Sequence, residues 1–228
     1  VRPVTSEPRP PSAAEPAAEV TRAVLARPRR RKAPGAGKTE TEIDLARRFL
    51  VASGDGLRYC ADRGGWLVYD GTRWTRDRLE LVREAAKASA EAVLLEAASL
   101  KDTALFMVGR RAASAHGIRN VLDVARSDPR VALSRDALDV DPYAFNVGNG
   151  TLDLRTAKLR AHDRADLLTK LAPFNFDQSA TAPRFQAFLA EILPDPEVRA
   201  FLQLWAGYAA TAAIREHILP VAYGTGAN

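Results

Sequence analysis

Cysteine is nearly absent from this sequence: Cys60 stands alone among 228 residues. That excludes an internal disulfide framework and any multi-cysteine zinc site. Histidine is scarce as well. His116, His162 and His217 lie far apart, and none falls in an H-E-x-x-H spacing. No apolar run reaches the roughly 18–20 residues that a membrane helix needs. The opening Val1-Arg2-Pro3-Val4 lacks the apolar core of a secretory signal. These absences together predict a cytoplasmic protein without a membrane partner. Position 1 is not methionine, so either Val1 is an alternative start or the chain is a piece of something longer. What is present suits an ordinary core, at 46% hydrophobic and 27% charged residues. The length allows one large domain or two small ones.

Charge is unevenly placed. Residues 1–38 hold nine of the 33 basic side chains but only three of the 28 acidic ones, which makes this segment +6 and the remainder −1. The same segment holds seven of the 14 prolines and no aromatic residue. Such a composition has too little apolar surface to offset the entropy of ordering, so 1–38 reads as a disordered basic arm. Within it, Arg27, Arg29, Arg30, Arg31 and Lys32 form a run able to contact phosphates, or simply a solvated linker. Gly35-Ala36-Gly37-Lys38-Thr39 resembles the end of a P-loop. It lacks both the first glycine, where Lys32 stands, and a preceding apolar strand, so it is not a phosphate site.

From Thr39 the pattern becomes periodic. Ile43, Leu45, Ala46, Phe49 and Leu50 recur at helical spacing, and Ser53-Gly54-Asp55-Gly56 ends that helix. Leu57–Cys60 and Trp66–Tyr69 read as short strands, with a turn at Asp70-Gly71-Thr72 before Arg73-Trp74. Tyr59, Trp66, Tyr69 and Trp74 stand beside Arg58, Arg63, Arg73 and Arg76. Such a set either stacks the bases of a single strand or fills the core of a small sheet. Asp77 to Ser99 has neither Gly nor Pro and predicts a long helix. Asp102 caps a second that runs to Gly117, and a third covers Ile118–Arg126. Arg110, Arg111 and Arg119 lie on these helices.

Ala144–Val147 and Thr151–Leu154 read as a hairpin around Gly148-Asn149-Gly150, followed by Lys158–Ala161 and an extended segment over Leu167–Phe176. Pro183 and Pro196 open two final helices whose apolar stripes (Phe185, Phe188, Leu189 and Ile192; Val198, Phe201, Leu202, Leu204, Trp205, Tyr208 and Ala209) read as core. The fold class is therefore α+β: small hairpin and sheet elements with several packed helices. No nucleophile–His pair or metal cluster emerges. Asp136, Asp139, Asp141 and Asp153 invite a magnesium-site reading as a nuclease or primase, against the alternative that they serve turns. A third reading is a protein-interaction module working through the helices of residues 77–126.

The chain closes on an apolar strand, Ile218–Tyr223, followed by Gly224, Thr225, Gly226, Ala227 and Asn228. A Walker A loop begins this way, and its second Gly, Lys and hydroxyl residue would come next. Arg58-Tyr59, Gly65 to Trp74, Phe145 to Thr156, Phe185 to Leu189, Phe201-Leu202-Gln203 with Trp205 to Tyr208, and Gly224 to Asn228 form an ordered set. In that set the sequence resembles the phage- and plasmid-type primase-helicases related to the poxvirus-like superfamily 3 helicases, in the domain preceding their ATPase. The resemblance implies a DNA replication protein of a phage, plasmid or integrated mobile element. Its complete form would unwind single-stranded or forked DNA with ATP and Mg as a homo-hexamer, with a primase or replication-origin protein as a possible partner.

On this reading residues 1–38 are the arm, 39–216 the domain before the helicase, and 217–228 the orphan first strand and nucleotide loop of a truncated ATPase domain. The chain itself would carry no catalytic residue, metal or cofactor. DNA contacts would fall on the 27–32 run and on Tyr59, Trp66, Arg73 and Trp74. One departure is visible: Ala157-Lys158 follows Leu154-Arg155-Thr156, where such proteins tend to carry a Gly-acidic pair. That turn must differ here, or be strained by about 1 kcal/mol.

Overall fold

Thr41 starts the first helix. Its hydroxyl accepts from the Asp44 N–H while the Asp44 carboxylate accepts from the Thr41 N–H, a reciprocal cap on two donors that the helix cannot satisfy itself. Helix α1 (Glu42–Ser53) buries Leu45, Ala46, Phe49 and Leu50 and stops at Gly54, whose φ of 62° suits glycine. The computed structural model describes residues 40–221. The arm expected over residues 1–38 and the loop Gly224–Asn228 lie outside the described residues. The described chain divides into two units, one of residues 40–140 and 162–170, the other of 141–161 and 171–221.

In the first unit, β1 (Leu57–Cys60), β2 (Gly65–Tyr69) and β3 (Trp74–Arg76) form an antiparallel sheet in that order. Asp70 shapes the turn before β3, its carboxylate accepting from the Thr72 N–H and hydroxyl and from the Arg73 N–H. Helix α2 (Leu81–Leu100) is started by Asp77, which accepts from the N–H groups of Leu81 and Val82 at 2.9 Å each. Asp102 caps α3 (Thr103–Ala112) as the sequence predicts, but that helix does not run to Gly117. Ser114 breaks it by accepting from the Gly117 N–H and so starting α4 (Ala115–Ala125). The corner is tight: a Cβ on Gly117 would lie 2.2 Å from the Arg111 carbonyl oxygen.

The helices bury Phe49, Val82, Val93, Ile118 and Val121 against Leu57 and Val68 of the sheet. The opposite sheet face is covered by Leu133, Leu138 and Leu167. Both sheet edges are occupied. Residues 131–133 run parallel to β1, with Tyr59 N–H donating to Val131 and Leu133 N–H donating to Tyr59. On the other side, Trp74 N–H donates to the Leu168 carbonyl.

In the second unit, β4 (Ala144–Val147), β5 (Gly150–Asp153) and β6 (Lys158–Arg160) make another antiparallel sheet. The run over Leu167–Phe176, expected to be extended up to Pro173, adds no named strand. Its last residues line β4 instead, with Ala172 N–H donating to Asn146 and Gly148 N–H to Phe174. Helices α5 (Pro183–Ile192) and α6 (Pro196–Ala209) follow. Their apolar stripes are not core, contrary to the sequence reading: Phe185, Phe188, Ile192 and Phe201 are exposed. Only Leu189 of α5 and Leu202, Trp205 and Tyr208 of α6 are half-buried among their large apolar side chains. The orphan strand expected over Ile218–Tyr223 is also absent as far as it is described, since residues 218–221 have no regular structure. A lone strand has nothing to donate its backbone groups to. No helix among the described residues is long and apolar enough to cross a membrane.

Candidate nucleic-acid interface

Strand alternation sorts the four aromatics of the first sheet. Tyr59 and Trp66, paired across β1 and β2, share the face that meets the helices. Trp66 stands edge-on to Tyr59 at 5.2 Å and to Phe49 at 6.3 Å. Tyr69 and Trp74 take the other face, 5.5 Å apart. Trp74 is 1% exposed, and its indole N–H donates to the Arg164 carbonyl at 2.9 Å. The rings therefore do not form one platform, and a base reaches Trp74 only if this core opens. Arg73 sits in the turn, 3.5 Å from the Asp70 carboxylate.

Of the arginines that the sequence sets beside these rings, Arg58 and Arg76 stand on the sheet itself. Arg58 lies over the Trp74 ring at 5.0 Å and donates to the carbonyls of Leu57 and Asp55. Burial pushes its pKa below the usual guanidinium range; Asp55 opposes that shift and the nearby Arg164 adds to it. Trp74 thus meets the Arg58 guanidinium at its face and the Arg164 main-chain carbonyl at its indole edge. Arg76 shares the Arg58 face, since both stand opposite Leu67. Arg164 is 90 residues from Trp74, and no local pattern could have joined them. On the helices, Arg111 is held by Glu42 at 2.5 Å, while Arg110 and Arg119 are exposed. The basic run of Arg27, Arg29, Arg30, Arg31 and Lys32 lies outside the described residues.

The four aspartates serve local structure. Asp136 lies in a short 3-10 turn, Arg135–Ala137. Asp139, at φ 55°, accepts from the Thr169 N–H at 2.7 Å and its hydroxyl at 2.5 Å, and faces Arg63 at 3.4 Å. In the second unit, Asp141 takes both arms of Arg155, at 2.8 and 3.2 Å, and the Tyr143 N–H. Those bonds, from Arg155 first, hold its carboxyl below the usual carboxylate range. Arg155 lies over the Tyr143 ring at 4.2 Å. Asp153 accepts from the Arg155 N–H and the Thr156 hydroxyl. Among the described residues no three His, Cys, Asp or Glu side chains converge on a point. Asp139, Asp141 and Asp153 are thus engaged in local hydrogen bonds and ion pairs within their own units.

The motif around Asn149 is structural too. Its side-chain amide exchanges two 2.9 Å hydrogen bonds with the backbone of Phe176, and the buried Thr151 hydroxyl donates to Asn146. Gly150 must be glycine, since its φ is 156° and a Cβ would lie 2.3 Å from the Arg160 carbonyl. What the surface offers chemically is guanidinium groups for phosphate oxygens, held on a rigid sheet. No curated protein matches the chain. Residues 45–194, covering both the first sheet with its helices and the Asn149 hairpin, match the family described as D5 N terminal like. The chain belongs to that family, the N-terminal domain of D5-like primase-helicase replication proteins.

Proposed function

We propose that this chain is the part of a mobile-element replication protein that stands before a superfamily 3-type helicase motor and engages DNA without catalysis of its own. Family membership over residues 45–194 carries the reading. The fate of the motifs supports it, because their conspicuous side chains (Asp70, Asn149, Thr151, Asp153) are spent on folding while arginines are left on the surface. In the complete protein, Ile218–Asn228 would lead into a Walker A loop, and ATP, Mg and a homo-hexameric ring would belong to the motor beyond it. The lysine and hydroxyl residue of such a loop are not among the 228 residues, so this chain alone should hold no ATP–Mg. A primase or origin protein is a natural partner for such a domain, and the cytoplasm its natural place.

DNA binding tests the reading. If the arm binds through Arg27, Arg29, Arg30, Arg31 and Lys32, the log–log dependence of single-strand affinity on salt should have a slope of about −3 to −4, at roughly −0.7 per phosphate. Deleting residues 1–38 should remove most of that affinity, because the remainder carries −1. Affinity unchanged by the deletion would move the site to the Arg58 face. No measurable binding at about 50 mM salt would end the DNA-engaging part of the proposal.

A further inference from the structure

The chain leaves the first unit after Val140, returns to it for residues 162–170 and then leaves again. Two residues of the first unit hold that returning segment at four points. The Trp74 indole N–H donates to the Arg164 carbonyl at 2.9 Å, and the Trp74 backbone N–H to the Leu168 carbonyl at 2.8 Å. Asp139 N–H donates to the Leu167 carbonyl at 3.2 Å. The Asp139 carboxylate accepts from the Thr169 N–H at 2.7 Å and from its hydroxyl at 2.5 Å. Arg63, from the β1–β2 turn, faces the same carboxylate at 3.4 Å. One residue thus clasps the outgoing segment to the returning one.

Both halves of the clasp stand in a backbone conformation that side chains avoid, Asp139 at φ 55° and Leu167 at φ 52°. Left-handed backbone is uncommon for aspartate and an outlier for a bulky residue, and it persists only where the surroundings dictate it. Here they do. Leu167 packs with Cys60, Leu67, Trp74 and Leu138, and Asp139 carries the three hydrogen bonds to residues 167 and 169. Pinned residues cannot absorb a change in φ and ψ, so a reorientation of the second unit has to be taken up just outside them. Residues 140–141 and 170–171 lie there, each pair within about 7 Å of chain from the clasp. Motion between compact units of one chain is the default expectation. We infer that Asp139 is the fixed end of a hinge. The second unit turns as a body about residues 140–141, 161–162 and 170–171, and the clasp keeps that freedom from spreading along the returning segment to Trp74.

Backbone NMR relaxation and amide exchange on the full chain test both parts of this. The two units should tumble with different correlation times, with order parameters dipping at 140–141, 161–162 and 170–171 but not at 163–169. Asp139→Ala should carry order parameters below about 0.6 into residues 167–169. It should also speed exchange of the Trp74 amide, whose acceptor lies in the returning segment, about tenfold or more, the effect of losing a charge-assisted hydrogen bond. Amides of α1 and α2, which report global stability, should change less. Thr169→Val, which removes only the hydroxyl donor, should speed Trp74 exchange about threefold, and it decides by the same comparison if Asp139→Ala does not fold. A single correlation time for both units overturns the hinge. Trp74 exchange that stays at the parent rate, or rises no more than that of α1 and α2, overturns Asp139 as its anchor.

Discussion

Ala157 occupies a place made for glycine. It closes the β5–β6 turn at φ 55°, with its N–H donating to the Asp153 carbonyl at 2.8 Å. A side chain in the left-handed region costs about 1 kcal/mol, and glycine recovers part of that while adding freedom to the unfolded chain. Ala157→Gly should therefore raise stability by about 0.5 kcal/mol, seen as a higher urea midpoint with an unchanged slope. The sequence alone posed the choice between a different turn and a strained one, and strain is what the structure shows. Gly117 is the opposite case. With an added Cβ only 2.2 Å from the Arg111 carbonyl and 2.8 Å from Ala112, the α3–α4 corner would have to spread. Gly117→Ala should cost about 2 kcal/mol or more and lower the melting temperature by several degrees.

At the scale of elements, the helix starts were legible except at Ser114, and the sheet partners were not. Asp102 is recognisable as a cap because a cap and its helix are neighbours in sequence, and strands Leu57–Cys60 and Ala144–Val147 follow from alternation. The break at Ser114 was missed because the apolar spacing continues across it, and only the hydroxyl on Gly117 N–H marks the new start. The edge partner of β3 comes from Leu168, in a run that reads as extended but carries no sign of which edge it joins. Likewise, composition left the aromatic hairpin as either a stacking set or a sheet core, and period-two alternation divides its rings between the two sides of the sheet.

The loop that completes the β1 edge depends on a titratable clamp. Asp128 accepts from the Arg130 backbone N–H at 3.0 Å and from its guanidinium at 2.8 Å, and these bonds hold its carboxyl at about 2, against the usual 3.8. A depressed carboxyl stabilises the fold above pH 4, and that contribution disappears as pH falls toward 2. Because the Arg130 side chain is half exposed, the clamp is worth well under the full shift, about 0.5 kcal/mol. Asp128→Asn should lower the urea midpoint at pH 6 and leave it equal to the parent's near pH 2.

At the scale of the whole chain, the two units differ in how they are secured. The first encloses Phe49, Leu57, Val82 and Trp74 almost completely, whereas α5 and α6 have no buried residue. Amides of α1, α2 and α4 should accordingly exchange with solvent only on global unfolding. Those of α5 and α6 should exchange orders of magnitude faster in a dilute, monomeric sample. Hydrogen exchange read by mass spectrometry checks this, and equal protection in both units at low concentration would contradict it.

The contact between Trp74 and residues 164–168 also sets a timetable for biosynthesis. The hairpin leaves the ribosome first, but the carbonyls that bind the Trp74 backbone and indole N–H groups belong to residues about 90 positions later. At about 5–20 residues per second the nascent chain must wait roughly 5–20 s for them. Throughout that interval the outer edge of β3 has an unpaired donor, and a large indole lacks its cover. The emerging polypeptide passes through its most chaperone-dependent stage then, and a variant that loosens the 164–168 segment prolongs it for the whole life of the molecule.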